Sequence, residues 1–172
     1  MPADSLNVLF LCTGNSARSV LAEALLNHLG SGRVRAYSAG SHPKGAVHPG
    51  ALAVLAEHGI PADGLRSKSW DEFAGPAAPP MNFIITVCDN AAGEACPIWP
   101  GRPTSAHWGI ADPAVEGPGQ RAAFEEAYGL MRARVEAFVA LPLADLDAPA
   151  LATRLREIGS MPGATPRAQQ TA

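Results

Sequence analysis

The sequence contains few charged residues, no long hydrophobic run and only three cysteines, and each shortage excludes a class of protein. Charged residues make up 17% of the chain and the formal net charge is -3, so the composition does not favour nucleic-acid binding. No apolar run reaches the roughly 18 residues that a membrane span requires. The first apolar run, Leu6–Leu11, is too short for a secretory signal and lacks its basic flank. We therefore expect a cytoplasmic protein that does not bind membranes.

The three cysteines are Cys12, Cys88 and Cys96, and they cannot all pair within one chain. Stable disulfides are rare in a reducing cytosol, where cysteines of functional importance are more often catalytic, metal-binding or redox-active. Burial as a small apolar side chain is the ordinary alternative for a free cysteine. The cysteine count alone leaves all of these roles open.

Short apolar runs alternate with amphipathic segments along the chain. The apolar and β-branched runs predict four strands, at Leu6–Leu11, Val34–Ser38, Met81–Val87 and Thr104–Trp108. Apolar residues at helical spacing predict helices at Ser19–Leu29, His48–His58, Arg121–Ala140 and Pro149–Ile158. This alternation predicts an α/β fold of three layers, with a four-stranded parallel sheet flanked by helices.

The length of the chain suits one domain with a single core. We predict a catalytic α/β domain over residues 1–158, and the composition of residues 159–172 predicts a disordered tail. Ligands of parallel sheets bind beyond the carboxyl ends of the strands. The loops that follow the first, third and fourth strands should therefore share one edge of the sheet and hold the functional residues.

The loop after the first strand has the pattern Cys-x5-Arg and leads directly into a helix. Backbone N–H groups in such a turn can converge on one point, and the helix N-terminus adds partial positive charge, so a tetrahedral oxyanion fits there. Arg18 can hold two oxygens of the anion, and the same field should lower the pKa of Cys12 and make it a nucleophile. A Walker nucleotide-binding pattern is absent. The predicted oxyanion-binding residues are Thr13, Gly14, Asn15, Ser16, Ala17, Arg18 and Ser19.

The run VLFLCTGNS at residues 8–16, followed by Arg18-Ser19 and Ala22-Glu23, resembles the low-molecular-weight protein tyrosine phosphatase superfamily. That superfamily includes arsenate reductases with the same fold, and the similarity covers roughly residues 5–140. The resemblance implies catalysis without a metal or an organic cofactor. It also implies that Asp112, in the pair Asp112-Pro113, is the acid that protonates the leaving oxygen. An Asx turn before the proline is the alternative role of this aspartate.

Residues outside the shared loop distinguish the two branches of the superfamily. A phosphotyrosine phosphatase needs aromatic side chains around its substrate, but residues 114–117 are Ala-Val-Glu-Gly. The cysteine pair and the run His107-Trp108-Gly109 instead resemble arsenate reductases of the thiol-relay type. The resemblance implies that Cys12 attacks arsenate, that Cys88 forms a disulfide with Cys12, and that Cys96 then pairs with Cys88. Thioredoxin or glutaredoxin would reduce this last disulfide, and phosphate or sulfate would mimic arsenate.

The pair of Cys88 and Cys96 also predicts local structure. In a continuous helix over residues 88–96 the two ends would be about 12 Å apart. A disulfide requires Cα atoms within roughly 7 Å, so the segment must be non-helical or must unwind on oxidation. We expect a mobile loop here.

Several alternatives remain open. The chain could be a phosphatase that acts on phosphotyrosine or small phosphate esters, or a non-catalytic protein that binds oxyanions or senses redox state. Cys88, Cys96 and His107 could form a zinc site, although the spacing is unusual and a fourth ligand is missing. Some relatives bind potassium beside the anion loop, and Asn15, Glu23 and Ser38 match part of that site, but we predict no metal ion.

Overall fold

The computed structural model describes residues 5–93, 99 and 103–170. The strands are β1 (Leu6–Cys12), β2 (Val34–Gly40), β3 (Phe83–Thr86) and β4 (Thr104–His107). The helices are α1 (Arg18–Leu29), α2 (Pro49–Glu57), α3 (Asp89–Gly93), α4 (Gln120–Val139), α5 (Ala148–Gly159) and α6 (Pro166–Gln170), with 3₁₀ turns at Trp70–Phe73 and Leu143–Asp145. The predicted strands and long helices are confirmed to within a few residues at their ends. Within the described ranges, no helix combines the length and apolar character that crossing a bilayer requires.

The four strands form one parallel sheet in the order β2-β1-β3-β4. Leu11 of β1 lies opposite Thr86 of β3, and Thr86 lies opposite His107 of β4. The chain moves outward from β1 to β2 and then returns to β3 on the other side of β1. The strand order therefore reverses between β1 and β3, and the segments that follow these two strands flank the point where parallel sheets bind ligands. The predicted fold class is confirmed.

Alternate residues of β1 pack into different cores on the two faces of the sheet. Val8 and Phe10 belong to a large core formed with α1, α2, α4 and α5. Leu9 and Leu11 belong to a smaller core on the other face, which includes Phe73 of a 3₁₀ turn. All four strand residues are buried. Burial on both faces explains why this strand is a continuous apolar run in the sequence.

The residues that follow Cys88 form helix α3, where the sequence predicts a mobile loop. The loop prediction is wrong for Asp89–Gly93, since the disulfide argument limits only the oxidised pair and does not prevent a helix while Cys88 is reduced. Cys96 lies outside the described residues, so the predicted pairing of Cys88 with Cys96 also lies outside them.

The segment after α5 is folded as far as residue 170, which corrects the disordered tail predicted for residues 159–172 over that part of it. Residues 171 and 172 lie outside the described residues. We call Met161–Gln170 the C-terminal strap. Ala164 of the strap forms an antiparallel β-bridge with Ile110, which lies just beyond β4. Buried Arg134 of α4 donates hydrogen bonds of 2.9 and 3.2 Å to two carbonyl groups of the strap. Composition does not reveal such partners, because distant parts of the chain supply them.

Candidate active site

The segment between β1 and α1 forms a tight turn at the carboxyl edge of the sheet. β1 ends at Cys12 and α1 begins at Arg18. Asn15, within the turn, has a left-handed backbone with φ of 44°, a conformation that asparagine tolerates better than most residues. The N-cap residue of α1, Ala17, provides no side-chain hydrogen bond, and the first turn carries no acidic residue. The positive end of the helix dipole therefore faces the turn, and no carboxylate in the first turn of α1 neutralises it.

Asn15 and Ser19 brace this turn from behind. The Asn15 side chain donates hydrogen bonds to the hydroxyl groups of Ser19 (2.8 Å) and Ser38 (2.9 Å). Its Oδ1 atom accepts a hydrogen bond of 2.9 Å from the backbone N–H of Lys68. Both Asn15 and Ser19 are completely buried. Two of the seven residues predicted to bind the oxyanion therefore fix the shape of the turn.

The other five predicted residues line a cavity of about 180 Å³, several times the roughly 30 Å³ that one water molecule occupies. Segments that follow all four strands contribute to it, and its cationic groups are Arg18 and Lys44. The lining residues are Thr13, Gly14, Ser16, Ala17, Arg18, His42, Lys44, Cys88, Asn90, Asp112 and Ala114. The structure thus brings the predicted anion loop, Cys88 and Asp112 to one place.

Arg18 connects the anion loop to the loop that carries Asp112. Its Nη1 atom donates a 2.9 Å hydrogen bond to the carbonyl oxygen of Ile110, and its Nη2 atom lies 3.9 Å from Oδ2 of Asp112. The Arg18 Nε atom is buried and has no hydrogen-bond partner among the described residues. A buried donor without an acceptor is unfavourable, so an anion in the cavity would find an unused N–H group on this arginine.

Asp112 forms an Asx turn and also lines the cavity. Its Oδ1 atom accepts a 2.9 Å hydrogen bond from the backbone N–H of Ala114, which is an Asx turn. Its Oδ2 atom is the oxygen near Arg18, and the side chain lines the cavity. One carboxylate oxygen therefore positions the loop while the other stays at the cavity.

The thiols of Cys12 and Cys88 share a hydrogen bond. Cys12 is 6% exposed and Cys88 is 3% exposed. The Cys88 sulfur also accepts hydrogen bonds from the backbone N–H groups of Thr13 (3.3 Å) and Ala91 (3.4 Å). The second sulfur of the predicted relay is therefore in contact with the first before any disulfide forms.

This shared hydrogen bond separates the pKa values of the two thiols. The hydrogen bond from Cys12, assisted by the backbone N–H groups, lowers the pKa of Cys88 to about 5 despite its burial. The same hydrogen bond and burial raise the pKa of Cys12, although Arg18 opposes the rise. The sequence predicts a lowered pKa for Cys12 instead. That prediction is wrong for this pair, because the pair retains one proton on Cys12 and carries its negative charge on Cys88.

A buried ion pair lies directly behind the anion loop. The Lys68 ammonium group lies 3.6 Å from Oε1 of Glu23 and donates a 3.0 Å hydrogen bond to the carbonyl oxygen of Arg66. The Ser38 hydroxyl donates to the same Glu23 oxygen. Burial raises the pKa of Glu23 and lowers the pKa of Lys68, because both charged forms lose hydration. Of the three residues noted as a partial potassium site, Glu23 pairs with the Lys68 ammonium group, Asn15 accepts the Lys68 backbone N–H, and Ser38 is hydrogen-bonded to both Glu23 and Asn15.

His107 is held by hydrogen bonds at both ring nitrogens. Its Nε2 atom lies 2.7 Å from Oδ1 of Asp89, and its Nδ1 atom lies 2.8 Å from the Thr86 hydroxyl. These contacts do not favour the zinc alternative that joins His107 to two cysteines. Within residues 5–93, 99 and 103–170, no three His, Cys, Asp or Glu side chains are grouped closely enough to hold a metal ion.

Sequence reasoning did not assign His42, Lys44 or Lys68 to the site. A signal existed for the first two, since they follow β2 and its carboxyl end lies at the same sheet edge. Their backbone N–H groups donate to the carbonyl oxygens of Thr13 (2.9 Å) and Gly14 (3.0 Å), which fixes them against the anion loop. No pattern in the sequence marks Lys68, because its partners come from α1 and β2.

Comparison with known proteins places these features in a family. The family model described as low molecular weight phosphotyrosine protein phosphatase matches residues 7–149. Arsenate reductase of Shouchella clausii (strain KSM-K16) is 36% identical over 107 residues, which are 62% of this chain and 73% of that protein.

Solved structures give the same result. "An arsenate reductase in the phosphate binding state" superposes with a TM-score of 0.64 at 28% identity, covering 78% of this chain and 97% of its own. A Corynebacterium glutamicum thioredoxin-dependent arsenate reductase superposes with a TM-score of 0.59 at 27% identity, covering 84% of this chain and 66% of its own. The chain belongs to the low molecular weight phosphotyrosine protein phosphatase family, and arsenate reductases are among the curated proteins that it resembles.

Proposed function

We propose that this protein is an arsenate reductase that converts arsenate to arsenite through a relay of Cys12, Cys88 and Cys96. The observation that carries the proposal is that Cys88 lines the cationic cavity of the anion loop, where its sulfur accepts the backbone N–H of Thr13, the residue that follows Cys12. A phosphatase needs one nucleophilic sulfur. A reductase needs a second sulfur within reach of the first, because two thiols supply the two electrons that reduce As(V) to As(III).

Arsenate is a tetrahedral oxyanion, and the cavity offers it several donors. The backbone of Thr13–Ala17 and the N-terminus of α1 supply N–H groups, and Arg18 supplies charge-assisted hydrogen bonds, including its unused Nε donor. Lys44 adds a second cation at the opening. Phosphate and sulfate have the same shape and should bind as mimics, in keeping with a related arsenate reductase described in a phosphate binding state.

In the first step the Cys12 sulfur attacks arsenic. Its proton passes along the shared hydrogen bond to Cys88, whose lowered pKa leaves it unprotonated at neutral pH. Asp112, at the rim of the cavity, protonates a departing hydroxyl group so that it leaves as water. The product is an arsenic(V) adduct on Cys12, and no electrons have yet been transferred.

In the second step Cys88 gives its proton to an arsenic-bound oxygen and attacks the Cys12 sulfur. The electron pair of the arsenic–sulfur bond stays on arsenic, which leaves as arsenite, and a Cys12–Cys88 disulfide forms. Cys96 then attacks Cys88, so that Cys12 departs as a thiolate and a Cys88–Cys96 disulfide remains. A dithiol protein such as thioredoxin or glutaredoxin restores the dithiol in a third exchange, which suits a reducing cytoplasm and requires no further cofactor.

A coupled assay tests the proposal. The full-length protein is mixed with arsenate, thioredoxin, thioredoxin reductase and NADPH, and the assay is repeated with glutaredoxin as the electron donor. We expect continuous NADPH oxidation by the wild type, none by Cys12→Ser or Cys88→Ser, and about one arsenite per chain from Cys96→Ser. If Cys88→Ser and Cys96→Ser both oxidised NADPH at the wild-type rate, the proposed relay would be wrong.

The competing phosphatase function is tested with p-nitrophenyl phosphate. The anion loop and Asp112 would serve both reactions, but residues 114–117 include no aromatic side chain, and Val115 is exposed. If the protein is a phosphatase, its Cys88→Ser and Cys96→Ser variants should hydrolyse this ester as fast as the wild type, and none of the three should release arsenite. If the protein only binds oxyanions, the Cys12→Ser variant should still bind phosphate, and the wild type should catalyse neither reaction.

A further inference from the structure

The C-terminal strap contacts both ends of helix α3, which follows Cys88. Thr165 of the strap donates a 2.7 Å hydrogen bond from its hydroxyl to Oδ1 of Asp89, the first residue of α3. At the other end, the Arg167 guanidinium lies so close to Gly93 that a Cβ atom there would be 3.1 Å from its Nη1 atom. The strap therefore holds α3 across its whole length.

The strap is itself fixed by contacts that do not involve α3. Arg134 is completely buried and donates to the carbonyl oxygens of Met161 (2.9 Å) and Pro162 (3.2 Å). The Thr165 N–H donates a 3.0 Å hydrogen bond to the carbonyl oxygen of Gly109. Burial removes the hydration of the Arg134 guanidinium, so its N–H groups depend on protein acceptors. Its acceptors include the carbonyl oxygen of Leu130 and the two carbonyl oxygens of the strap. The base of the strap is thus anchored on α4 and on the segment after β4.

Asp89 is the point at which the strap meets the active site. Its Oδ1 atom accepts hydrogen bonds from the Thr165 hydroxyl and from His107, each 2.7 Å long. Burial alone would raise the pKa of Asp89, but these hydrogen bonds outweigh it and lower the pKa, so the group is a carboxylate at neutral pH. Asp89 directly follows Cys88, so these hydrogen bonds act one residue away from the Cys88 sulfur.

Cys88 is poorly accessible to an incoming thiol in this arrangement. The residue is 3% exposed, and its sulfur accepts the N–H group of Ala91 from within α3. An attacking sulfur must reach the Cys88 sulfur in line with the bond that breaks, so α3 must first shift or unwind.

We propose that the C-terminal strap restrains α3 through the Thr165–Asp89 hydrogen bond and so sets the rate at which oxidised Cys88 becomes available to the next thiol. This inference rests on the proposed function for its redox step. In that step the incoming thiolate bonds to Cys88 while the Cys12–Cys88 bond breaks, Cys12 leaves as a thiolate, and no electrons are gained or lost. Thr165 is a positioning residue, since it acts through Asp89. The family match ends at residue 149, so the strap is a feature outside the region that this chain shares with the family.

The test compares Thr165→Val with Thr165→Ser in the full-length protein. Valine keeps the shape of threonine but removes the hydroxyl, which donates to Asp89 and also accepts the N–H of Ala168 (3.3 Å), whereas serine restores it. Thr153→Val is the matched control, because Thr153 lies at an exposed position of α5, donates to the carbonyl oxygen of Pro149 and does not contact α3. Thr165→Ala removes the same donor with less bulk and should repeat the effect of valine.

Two readouts need no arsenate: the rate at which iodoacetamide alkylates Cys88 and the hydrogen exchange of the amides in residues 89–92. We expect both to rise about fivefold in Thr165→Val, the effect of losing one hydrogen bond, and to stay at wild-type values in Thr165→Ser and Thr153→Val. After one turnover with arsenate, the Cys88–Cys96 disulfide should form faster in Thr165→Val by a similar factor, while the Cys12–Cys88 disulfide does not form faster.

The outcomes separate the two proposals. Wild-type alkylation and exchange in Thr165→Val would overturn the role of the strap, whether or not arsenate is reduced. Faster alkylation together with a wild type that releases no arsenite would support the restraint on α3 and overturn the proposed reductase function.

Discussion

Cys12 and Cys88 share a hydrogen bond although they follow different strands of the sheet. The contact arises because β1 and β3 are neighbours, with Leu11 opposite Thr86, so that Cys12, the last residue of β1, and Cys88, two residues beyond β3, lie at the same edge of the sheet. Each strand thus delivers one sulfur to the same edge. The electrostatic consequence is a pair of thiols that holds one proton and has one sulfur ionised at neutral pH.

Removing Cys88 should lower the pKa of Cys12. The hydrogen bond with Cys88 is the largest cause of the raised Cys12 pKa, and the favourable charge of Arg18 remains in Cys88→Ala. In a Cys96→Ser background, the thiolate absorbance of the intact pair should rise with an apparent pKa of about 5. The Cys88→Ala titration should then report Cys12 alone. A pair that ionises only near 8.5, the ordinary cysteine value, would contradict the shared proton.

Asp112→Asn should slow the formation of the arsenic adduct by roughly 10²–10⁴-fold, because an amide cannot serve as the general acid. Asparagine can still accept the hydrogen bond from the Ala114 N–H, so the Asx turn and the free energy of unfolding should be preserved. Rapid-quench measurement of a single turnover reports the rate. The control is Asp147→Asn, since Asp147 caps α5 through the N–H of Ala150, far from the cavity. Equal rates for Asp112→Asn and wild type would remove Asp112 from the mechanism.

Lys68→Met should destabilise the protein at neutral pH by about 3–5 kcal/mol, because it leaves the buried Glu23 carboxylate without its cation. Without Lys68 the pKa of Glu23 rises further, so the folded state binds a proton that the unfolded state releases. The deficit should therefore shrink as the pH falls from neutral towards the ordinary glutamate pKa of 4.5. Urea unfolding across this pH range measures the effect.

Two further variants complete this test. Lys44→Met removes the other lysine of the chain from an exposed position and should leave the free energy of unfolding nearly unchanged. Glu23→Gln combined with Lys68→Met should recover much of the lost stability. A deficit in Lys68→Met that stays constant with pH would show that Glu23 is not its cause.

Gly40→Ala should distort the anion loop. A Cβ atom at this position would lie 2.4 Å from the carbonyl oxygen of Thr13 and 2.8 Å from that of Cys12, so the loop backbone must move. We expect a loss of about 1–3 kcal/mol in stability and weaker phosphate binding, measured by thermal unfolding and calorimetric titration. Gly75→Ala, where the added methyl group meets no atom within 4 Å, is the matched control. Unchanged phosphate affinity in Gly40→Ala would contradict the close contact between β2 and the loop.

The sequence predicted the parts of the site that depend on local order. The strand, the turn and the helix that place Cys12 and Arg18 are contiguous, and their periodicity and residue types are visible in one short run. The four strands were also predictable, since each is apolar over several residues. The alternation of strands and helices predicted a parallel sheet. A parallel sheet in turn predicted that the segments bearing Cys88 and Asp112 lie beside the anion loop.

Features that depend on distant partners were not predictable in the same way. The raised pKa of Cys12 results from Cys88, and the burial of Lys68 results from Glu23 and Asn15. Helix α3 is only five residues long, too short for a periodic signal. The strap has a composition typical of disorder, and its fold depends on a buried arginine in α4. In each case the stabilising group lies far away in sequence.

The most direct test of the relay is a single turnover without any external reductant. Reduced Cys96→Ser protein is mixed with a small excess of arsenate, the remaining thiols are blocked, and the products are analysed by peptide mass spectrometry and arsenite quantification. The account predicts one arsenite per chain, formed together with a disulfide between Cys12 and Cys88. Recovery of both cysteines as free thiols, with arsenate unchanged, would contradict it.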